Sequence, residues 1–371
     1  MSSLATNAIT DASGGNTTTI NGYTPTESNM AGRNRIINGD MRIDQRNAGA
    51  SVTPSDGQYT IDRWQGFAGV SSKYTVQQNA GSVTPPTGFI NYLGVTSSSA
   101  YSVGASERFA ISQKIEGFNT ADLAWGTANA QPVTLSFWVR SSLTGTFGGV
   151  FANSAYDRSY PYTYTINAAD TWEYKTVTVA GDTSGTWLTS NDVGLQIWFS
   201  LGAGSSVSGA AGSWSGSTFF SATGATSVVG TSGATFYLTG VQLEAGSTAT
   251  LFEHRQYGQE LALCQRYYWQ RSLYNYNSTT AVWEGYFGGG TGVLNVQLPV
   301  TMRAAPTLSI YAPTQVIVYE SSGWTNRTIA AQYSTPDFVQ FNVNSTSHAY
   351  GKLVGLSGGS TAPTGKMTAE L

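Results

Sequence analysis

The side chains that could do chemistry are few and widely spaced in this chain. Its two histidines, His254 and His348, stand far apart, without cysteine or acidic residues at metal-ligand spacing. The sequence contains no HExxH, CxxC or P-loop motif. Residues 212–216 read Gly-Ser-Trp-Ser-Gly, with tryptophan where the Gly-x-Ser-x-Gly motif has serine, and such glycine–serine strings arise by chance in a chain with 43 glycines. No strand–turn–helix pattern surrounds it, which argues against a serine hydrolase.

Carboxylates are the remaining candidates for acid–base chemistry. Glycosidases need two carboxyl groups roughly 5–10 Å apart, and this chain has 21 acidic residues. Asp40, Asp44 and Asp62 each stand within two residues of an arginine. That spacing favours structural ion pairs or turn caps over hydrolysis. A glycan-cleaving enzyme is therefore kept as the alternative to a protein without catalytic activity.

Aromatic side chains are the most abundant candidates for binding, with 10 tryptophans and 21 tyrosines. Their rings pack on the C–H face of a sugar, and their polar tips hydrogen-bond to its hydroxyl groups. Trp138 and Trp198 stand in apolar strand-like segments, which predicts that both belong to the core. The glycan-binding candidates stand instead in polar or Gly/Ser-rich surroundings: Tyr156, Tyr160, Tyr162, Trp214 and Trp324. Local packing or a subunit interface is the alternative role for each of them.

The composition limits the classes of partner and compartment. Only 11% of the residues are charged and the formal net charge is -3, so no electrostatic footprint for nucleic acid is present. The sequence has no run of 18 apolar residues and no secretory signal, which predicts neither membrane insertion nor secretion. The single cysteine, Cys264, excludes an internal disulfide framework and is expected to be a buried, inert thiol.

Short alternating segments separated by turns predict an all-β protein with two β domains. Residues 33–252 are expected to form an antiparallel jelly-roll β-sandwich, with long loops in the low-complexity text of 202–233. Residues 272–371 are expected to form a smaller C-terminal β-sandwich. Residues 1–32 are polar and small, and they could not fold on their own.

One helical pattern separates the two β domains. Tyr257, Leu261, Cys264 and Tyr268 follow at spacings of four, three and four, which predicts a linking helix within 253–271. An isolated helix of this length is marginal in water and needs a partner surface. The heptad-like spacing suits a parallel bundle around a three-fold axis, so these four residues are the predicted oligomerisation site of a homotrimer. The competing hypothesis is that the helix packs only against its own β domains.

Several segments resemble tail-fibre and tail-adhesin proteins of bacteriophages and prophages. Their order along the chain matches: 33–46 (RNRIINGDMRIDQR), 59–64, 239–246, 252–255, 260–268 and 302–307. More distantly, the opening Asn-Gly-Asp-Met and the closing Gly-Val-Gln-Leu-Glu resemble the first and last strands of jelly-roll carbohydrate-binding modules.

This resemblance implies a tail fibre, made in the host cytoplasm and built into the virion. The leader 1–32 would attach it to tail or baseplate proteins, and the body would bind host surface polysaccharide without cleaving it. The alternatives are a tailspike-type glycan depolymerase and a purely structural decoration protein. The resemblance also implies a structural Ca²⁺ between the first and last strands, held by Asp40 and Glu244; no other cofactor is expected.

Overall fold

The computed structural model describes residues 32–272, 284–288, 291–310, 316–320, 323–327, 329–344, 353–358 and 364–371. The described residues belong to two compact units. The first, here the sandwich unit, comprises 32–42 and Gly49–His254, and the second, the C-terminal unit, comprises Ile43–Ala48 and the described residues from Arg255 onwards. The predicted attachment leader lies outside the described residues, except for its last residue.

The sandwich unit contains thirteen strands. In chain order they are β1 (Gln58–Tyr59), β2 (Gln65–Ala68), β3 (Tyr74–Gln78), β4 (Leu93–Ser97), β5 (Arg108–Glu116), β6 (Val133–Ser141), β7 (Gly145–Ala152), β8 (Ser159–Ile166), β9 (Glu173–Val179), β10 (Val193–Ala203), β11 (Ser208–Gly209), β12 (Ser221–Ala222) and β13 (Thr235–Ala245).

Two antiparallel sheets form the sandwich. The larger has six strands in the order β1-β2-β5-β10-β7-β8, and the smaller has five in the order β3-β4-β13-β6-β9. Successive strands repeatedly cross from one sheet to the other, which is the jelly-roll connectivity. β11 and β12 form a short parallel pair within the otherwise irregular 202–233 stretch. The predicted all-β jelly roll is confirmed.

Period-two alternation explains why these strands build one core. In β6 the side chains of Val133, Leu135, Phe137 and Val139 are fully buried between the sheets. The alternate positions of β6 point away from the other sheet, because successive side chains of a strand face opposite sides. Trp198 of β10 is also fully buried, as predicted, but it lies on the outer face, under Phe67 and Phe220.

The opening segment runs beside the closing strand, as the resemblance implied. The Arg35 N–H donates to the Leu243 carbonyl at 2.9 Å, and the Val241 N–H donates to the Gly39 carbonyl at 2.9 Å. A Cβ at Gly39 would collide with the Val241 carbonyl oxygen, so this close approach requires glycine.

The C-terminal unit contains one α-helix, α1 (Tyr257–Gln265), and two antiparallel sheets. Its strands are β14 (Tyr268–Ser272), β15 (Glu284–Gly288), β16 (Thr291–Gln297), β17 (Thr307–Ile310), β18 (Val316–Glu320), β19 (Gly323–Arg327), β20 (Ile329–Ser334), β21 (Phe338–Asn344), β22 (Leu353–Gly358) and β23 (Thr364–Thr368). One sheet has the order β14-β23-β17, and the other has the order β19-β18-β22-β15-β16-β21-β20. The described part of the chain contains no helix with the length and hydrophobicity that crossing a bilayer requires.

The prediction of an oligomerisation site is wrong for Cys264 and Tyr268, two of its four residues. The helix ends at Gln265, and Tyr268 lies in β14, paired with Thr368 of β23. Tyr268 is 3% exposed, beneath the Arg46 guanidinium, and Cys264 is 1% exposed, so neither presents a surface to another chain. The predicted buried thiol is thereby confirmed.

The same helix buries a different face from the one predicted. Glu260 is 5% exposed and pairs with Arg255 at 3.3 Å, on the side that also carries Cys264. Tyr257 is 61% exposed and Leu261 is half-buried. The helix therefore belongs to the C-terminal unit rather than forming a separate linker, and only Tyr257 and Leu261 of the predicted stripe are open to a partner.

Candidate functional site

Two of the predicted glycan-binding residues come together in a tryptophan cluster. The rings of Tyr160 and Trp214 have centroids 5.2 Å apart, and Trp214 also contacts Trp125 at 5.3 Å and Trp187 at 5.4 Å. Each indole N–H of the cluster donates to a backbone carbonyl, that of Trp214 to Ala180 at 2.8 Å. Burial raises the pKa of the Tyr160 hydroxyl. This cluster packs against the core of the sandwich, and its three indole N–H groups are already occupied.

Tyr162 and Tyr156 are not available in the way the sequence analysis expected. Tyr162 is 2% exposed, and its hydroxyl donates to the Trp198 carbonyl at 2.9 Å. Burial raises its pKa well above the ordinary value. The half-buried Tyr156 donates to Gln196 Oε1 at 2.7 Å and packs against Phe220. Tyr162 lies in β8 with its ring in the core between the sheets, and Tyr156, which precedes β8, packs against Trp198 and Phe220, so both rings take part in packing.

Trp324 lies in β19, opposite Tyr319 of β18, and not in a turn. Its side chain lies outside the described part of the structure, so its role in binding stays a prediction.

The outer face of the five-stranded sheet carries aromatic rings that solvent reaches. Trp138 of β6 stands opposite Tyr174 of β9 in the sheet register. Their ring centroids are 5.4 Å apart and the ring planes are inclined by 51°. Tyr174 is 43% exposed and Trp138 is half-buried. The prediction that Trp138 belongs to the core is wrong, because it shares the outward register of β6 with Thr134, Ser136 and Arg140.

Hydrogen bonding distinguishes Trp138 from the other tryptophans of the sandwich unit. The indole N–H donates to a backbone carbonyl in Trp64, Trp125, Trp172, Trp187 and Trp214. The N–H of Trp198 is buried without a partner. The Trp138 side chain makes no hydrogen bond to any described residue and is not among the buried unpaired groups, and the Tyr174 hydroxyl is equally free. Trp138 and Tyr174 therefore combine accessible rings with unused polar tips.

Three further rings extend this surface next to Trp138. Phe89, Phe252 and His254 contact one another with centroids 4.9 to 5.4 Å apart. Gly240 has φ +59°, and a Cβ there would lie 2.7 Å from Phe89 and 3.1 Å from Trp138. Glycine at this position therefore lets Phe89 lie over the sheet beside Trp138. We call the surface formed by Phe89, Trp138, Tyr174, Phe252 and His254 the aromatic strip.

Covering segments bound the aromatic strip on both sides along β6. On one side Tyr237, opposite Arg140, is 4% exposed because it packs with Tyr92 and Ala80. On the other side Glu244, opposite Thr134, is 1% exposed and accepts hydrogen bonds from Thr250. Trp138 therefore lies on β6 between the covered pair Tyr237–Arg140 and the covered pair Glu244–Thr134.

The charged groups near the strip are neutralised within the protein. Arg140 pairs with Asp170 at 3.1 Å and lies over the Tyr237 ring. Burial alone would raise the pKa of Glu173, but hydrogen bonds from Lys175 and from the Asn167–Ala168 turn outweigh it and lower the pKa to about 2. The strip is therefore suited to an uncharged ligand with both C–H faces and hydroxyl groups.

The predicted calcium ligands do not fit a shared cation site. The Arg42 Nε donates to Asp40 Oδ2 at 2.5 Å, so that carboxylate already faces a positive charge. Glu244 accepts hydrogen bonds from the Thr250 amide, the Thr250 hydroxyl and Gln242 Nε2 at 2.7 to 2.9 Å. Among the described residues, no group of three or more His, Cys, Asp or Glu side chains could hold a metal ion.

Comparisons with known proteins return likenesses in structure alone. No protein-family model and no curated protein matches the sequence. The tailspike protein 4 enzymatically active domain of bacteriophage CBA120 matches 57% of this chain at 12% identity and a TM-score of 0.31, and only 21% of that chain is covered. A CBM4 structure matches 56% of this chain and 98% of its own at 17% identity and a TM-score of 0.28. A family 11 carbohydrate-binding module from Clostridium thermocellum matches 54% and 97% at 13% identity and a TM-score of 0.26.

Proposed function

We propose that this protein binds neutral glycan chains through the aromatic strip and does not cleave them. The observation that carries the proposal is the state of Trp138: a half-exposed ring on a sheet face, beside an exposed tyrosine, with its N–H unused. Tryptophans that serve only packing in this unit have their N–H satisfied by a carbonyl or buried. A free donor at the edge of an apolar ring is what a sugar hydroxyl group needs.

The form of the strip supports binding along a chain rather than at a single sugar. Tyr174 and Trp138 follow one another across neighbouring strands, about 5 Å apart. Phe89, Phe252 and His254 continue the surface beyond Trp138. Successive sugar rings of a polysaccharide could stack on successive aromatic rings, each with a small gain in free energy.

The pairing of carboxylates supports a protein without hydrolytic activity. In the sandwich unit Arg35 pairs with Asp122, Arg158 with Asp182 and Arg140 with Asp170. Glu173 precedes Tyr174 in the chain, but its pKa of about 2 is opposite to what a general acid requires. A glycosidase would need one carboxyl group held protonated near neutral pH.

Purified host polysaccharide tests this function directly. We expect the protein to be retarded in a gel containing the polysaccharide, with the chain-length distribution of the polysaccharide unchanged after incubation. Shortened chains would instead establish a depolymerase. If no host polysaccharide retards the protein and none is shortened by it, the result would favour a structural decoration protein.

For the biological role of this binding, we propose that the protein is a bacteriophage tail fibre or adhesin that acts as a homotrimer in the virion. The resemblance of 33–46 and 239–246 to such proteins supports this role. Three copies of the strip would convert weak single-site binding into avidity. Deleting residues 1–32 should leave a folded protein that still binds polysaccharide but no longer joins the virion. Loss of folding in that truncated protein would show that the leader belongs to the body.

A further inference from the structure

One concave feature of the sandwich unit is lined by residues other than those of the aromatic strip. It is a pocket of about 380 Å³ between the turns at 120–127 and the segment 187–195 that leads into β10. Small-molecule sites commonly occupy roughly 300–1,000 Å³, so this pocket suits a small ligand. Among the described residues that line it, none carries a charge.

Two tryptophan rings form a corner of this pocket. Trp125 and Trp187 meet at an interplanar angle of 82°, with centroids 4.7 Å apart. The Trp125 N–H donates to the Gln131 carbonyl at 2.7 Å, and the Trp187 N–H donates to the Ser184 carbonyl at 3.1 Å. Because both polar tips are fixed by the backbone and Trp214 packs against both rings, the rings are held in place. Trp125 is 7% exposed, so most of the apolar ring surface that a ligand reaches belongs to Trp187.

Three threonines supply the polar part of the lining. The Thr189 hydroxyl makes no hydrogen bond to any described residue and is exposed. The Thr127 hydroxyl donates to the Ala124 carbonyl at 2.7 Å, and the Thr120 hydroxyl donates to the Gly117 carbonyl at 3.3 Å. One hydroxyl is therefore free to donate, and the other two keep acceptor capacity.

The described residues that line the pocket include no charged side chain that would attract an ion. The nearby ion pair of Arg158 and Asp182 is closed by two hydrogen bonds of 2.7 Å. Arg158 packs against Gly185, and the backbone carbonyl of Asp182 accepts the Gly126 N–H, so the pair is built into the turns behind the tryptophans. The ligand that fits is neutral, with one apolar face and several hydroxyl groups.

We propose that this pocket is a separate site for a single neutral sugar residue, either the end of a glycan chain or a short side branch. It differs from the aromatic strip in shape, because the pocket has room for one sugar ring whereas the strip extends along several sugar rings of a chain. Strand β9 begins next to Tyr174 and ends just before Ala180, whose carbonyl holds Trp214 of the cluster. Six residues of extended strand separate Tyr174 of the strip from Ala180, which anchors Trp214, by roughly 20 Å. The pocket is therefore independent of the function proposed for the strip.

The test uses the full chain labelled with 5-fluorotryptophan and observed by ¹⁹F NMR, with Trp125→Phe and Trp187→Phe spectra for assignment. The probes are the methyl glycosides of glucose, galactose, mannose and N-acetylglucosamine at millimolar concentration, with methyl glucuronide and cyclohexanol as controls. We expect saturable shifts of the Trp125 and Trp187 signals with at least one neutral glycoside and with neither control. A shift of the Trp138 signal would report binding at the strip and is read separately from the pocket.

Filling the pocket provides the matched comparison. Ala121 lines the pocket and is exposed, whereas Ala128 is exposed nearby and does not line it. Ala121→Phe should abolish the shifts, and Ala128→Phe should leave them intact. Absence of shifts with all four glycosides, equal shifts with cyclohexanol, or shifts that survive Ala121→Phe would each overturn the proposal. Trp138→Ala should leave the shifts unchanged, so failure of the strip as a polysaccharide site is distinguishable from failure of the pocket.

Discussion

The sharpest consequence of the structure concerns one hydrogen-bond donor on the aromatic strip. Trp138→Phe keeps an aromatic ring at the centre of the strip and removes only the indole N–H and part of the ring area. Since no described residue uses this N–H, its loss breaks no bond within the protein. The Trp138 side chain is half-buried and is not part of the core between the sheets, so the fold should be nearly unaffected.

The effect on binding can be estimated from the bond that is lost. One hydrogen bond between neutral partners contributes roughly 0.5–1.5 kcal/mol net. Trp138→Phe should therefore weaken polysaccharide binding about 2- to 13-fold. Trp138→Ala also removes the ring surface, and central interface tryptophans typically cost about 2 kcal/mol or more, so we expect a loss of at least about 30-fold. Isothermal titration calorimetry with a purified oligosaccharide measures both values.

Trp172→Phe is the matched control, because it makes the same chemical change beside the same sheet. The Trp172 N–H donates to the Thr84 carbonyl at 2.9 Å and therefore serves the fold. We expect this variant to lower the free energy of unfolding in urea and to leave the binding constant unchanged. The opposite pattern, with Trp138→Phe binding as tightly as the parent and Trp172→Phe binding more weakly, would refute the assignment of the strip.

Three other consequences are measurable. Glu173 has a pKa lowered from 4.5 to about 2 in the folded protein, so its contribution to stability is present above pH 4.5 and is lost as the pH falls towards 2. Glu173→Gln should therefore reduce the change in the free energy of unfolding between pH 4.5 and pH 2, which urea titrations at several pH values measure. Tyr257 is 61% exposed on the helix, so Tyr257→Asp should dissociate the proposed trimer in light scattering without changing the circular dichroism spectrum; a variant that stays trimeric would exclude this helix face. Because Asp40 and Glu244 have protein partners, we expect the melting temperature to be the same in EDTA and in added Ca²⁺, and a rise with Ca²⁺ would contradict this.

The sandwich was predictable because alternation leaves a direct trace in the sequence. Val133, Leu135, Phe137 and Val139 recur every second residue, and a strand with that pattern must turn one face to a core. The same alternation places Trp138 on the outer face, so its position could also have been predicted from the sequence. The segment is apolar at most positions, which favours a core strand and makes the two-residue alternation of β6 harder to recognise.

The end of the helix was less accessible from the sequence. Residues 257 to 268 keep a helical spacing of apolar side chains, but the chain leaves the helix after Gln265. The pairing of Tyr268 with Thr368 decides this point, and the two residues are a hundred positions apart in the sequence. Local periodicity contains no information about such a partner, so tertiary pairing overrode the pattern.

The distinction between binding and packing aromatics depended on information that no sequence pattern holds. In the sequence, Trp214 stands in a Gly/Ser loop, which is typical of a residue that contacts a ligand. Trp138 stands in an apolar strand, which is typical of a core residue. In the structure the Trp214 N–H is satisfied by the Ala180 carbonyl, whereas the Trp138 N–H is free. Which carbonyl reaches an indole depends on loop geometry across the fold, and the free-energy cost of an unused donor falls as its exposure to water increases. A buried unused donor destabilises the fold, whereas one at the surface costs little and stays available, so the hydrogen-bond state of each indole is the criterion that separates the strip from the rest of the aromatic surface.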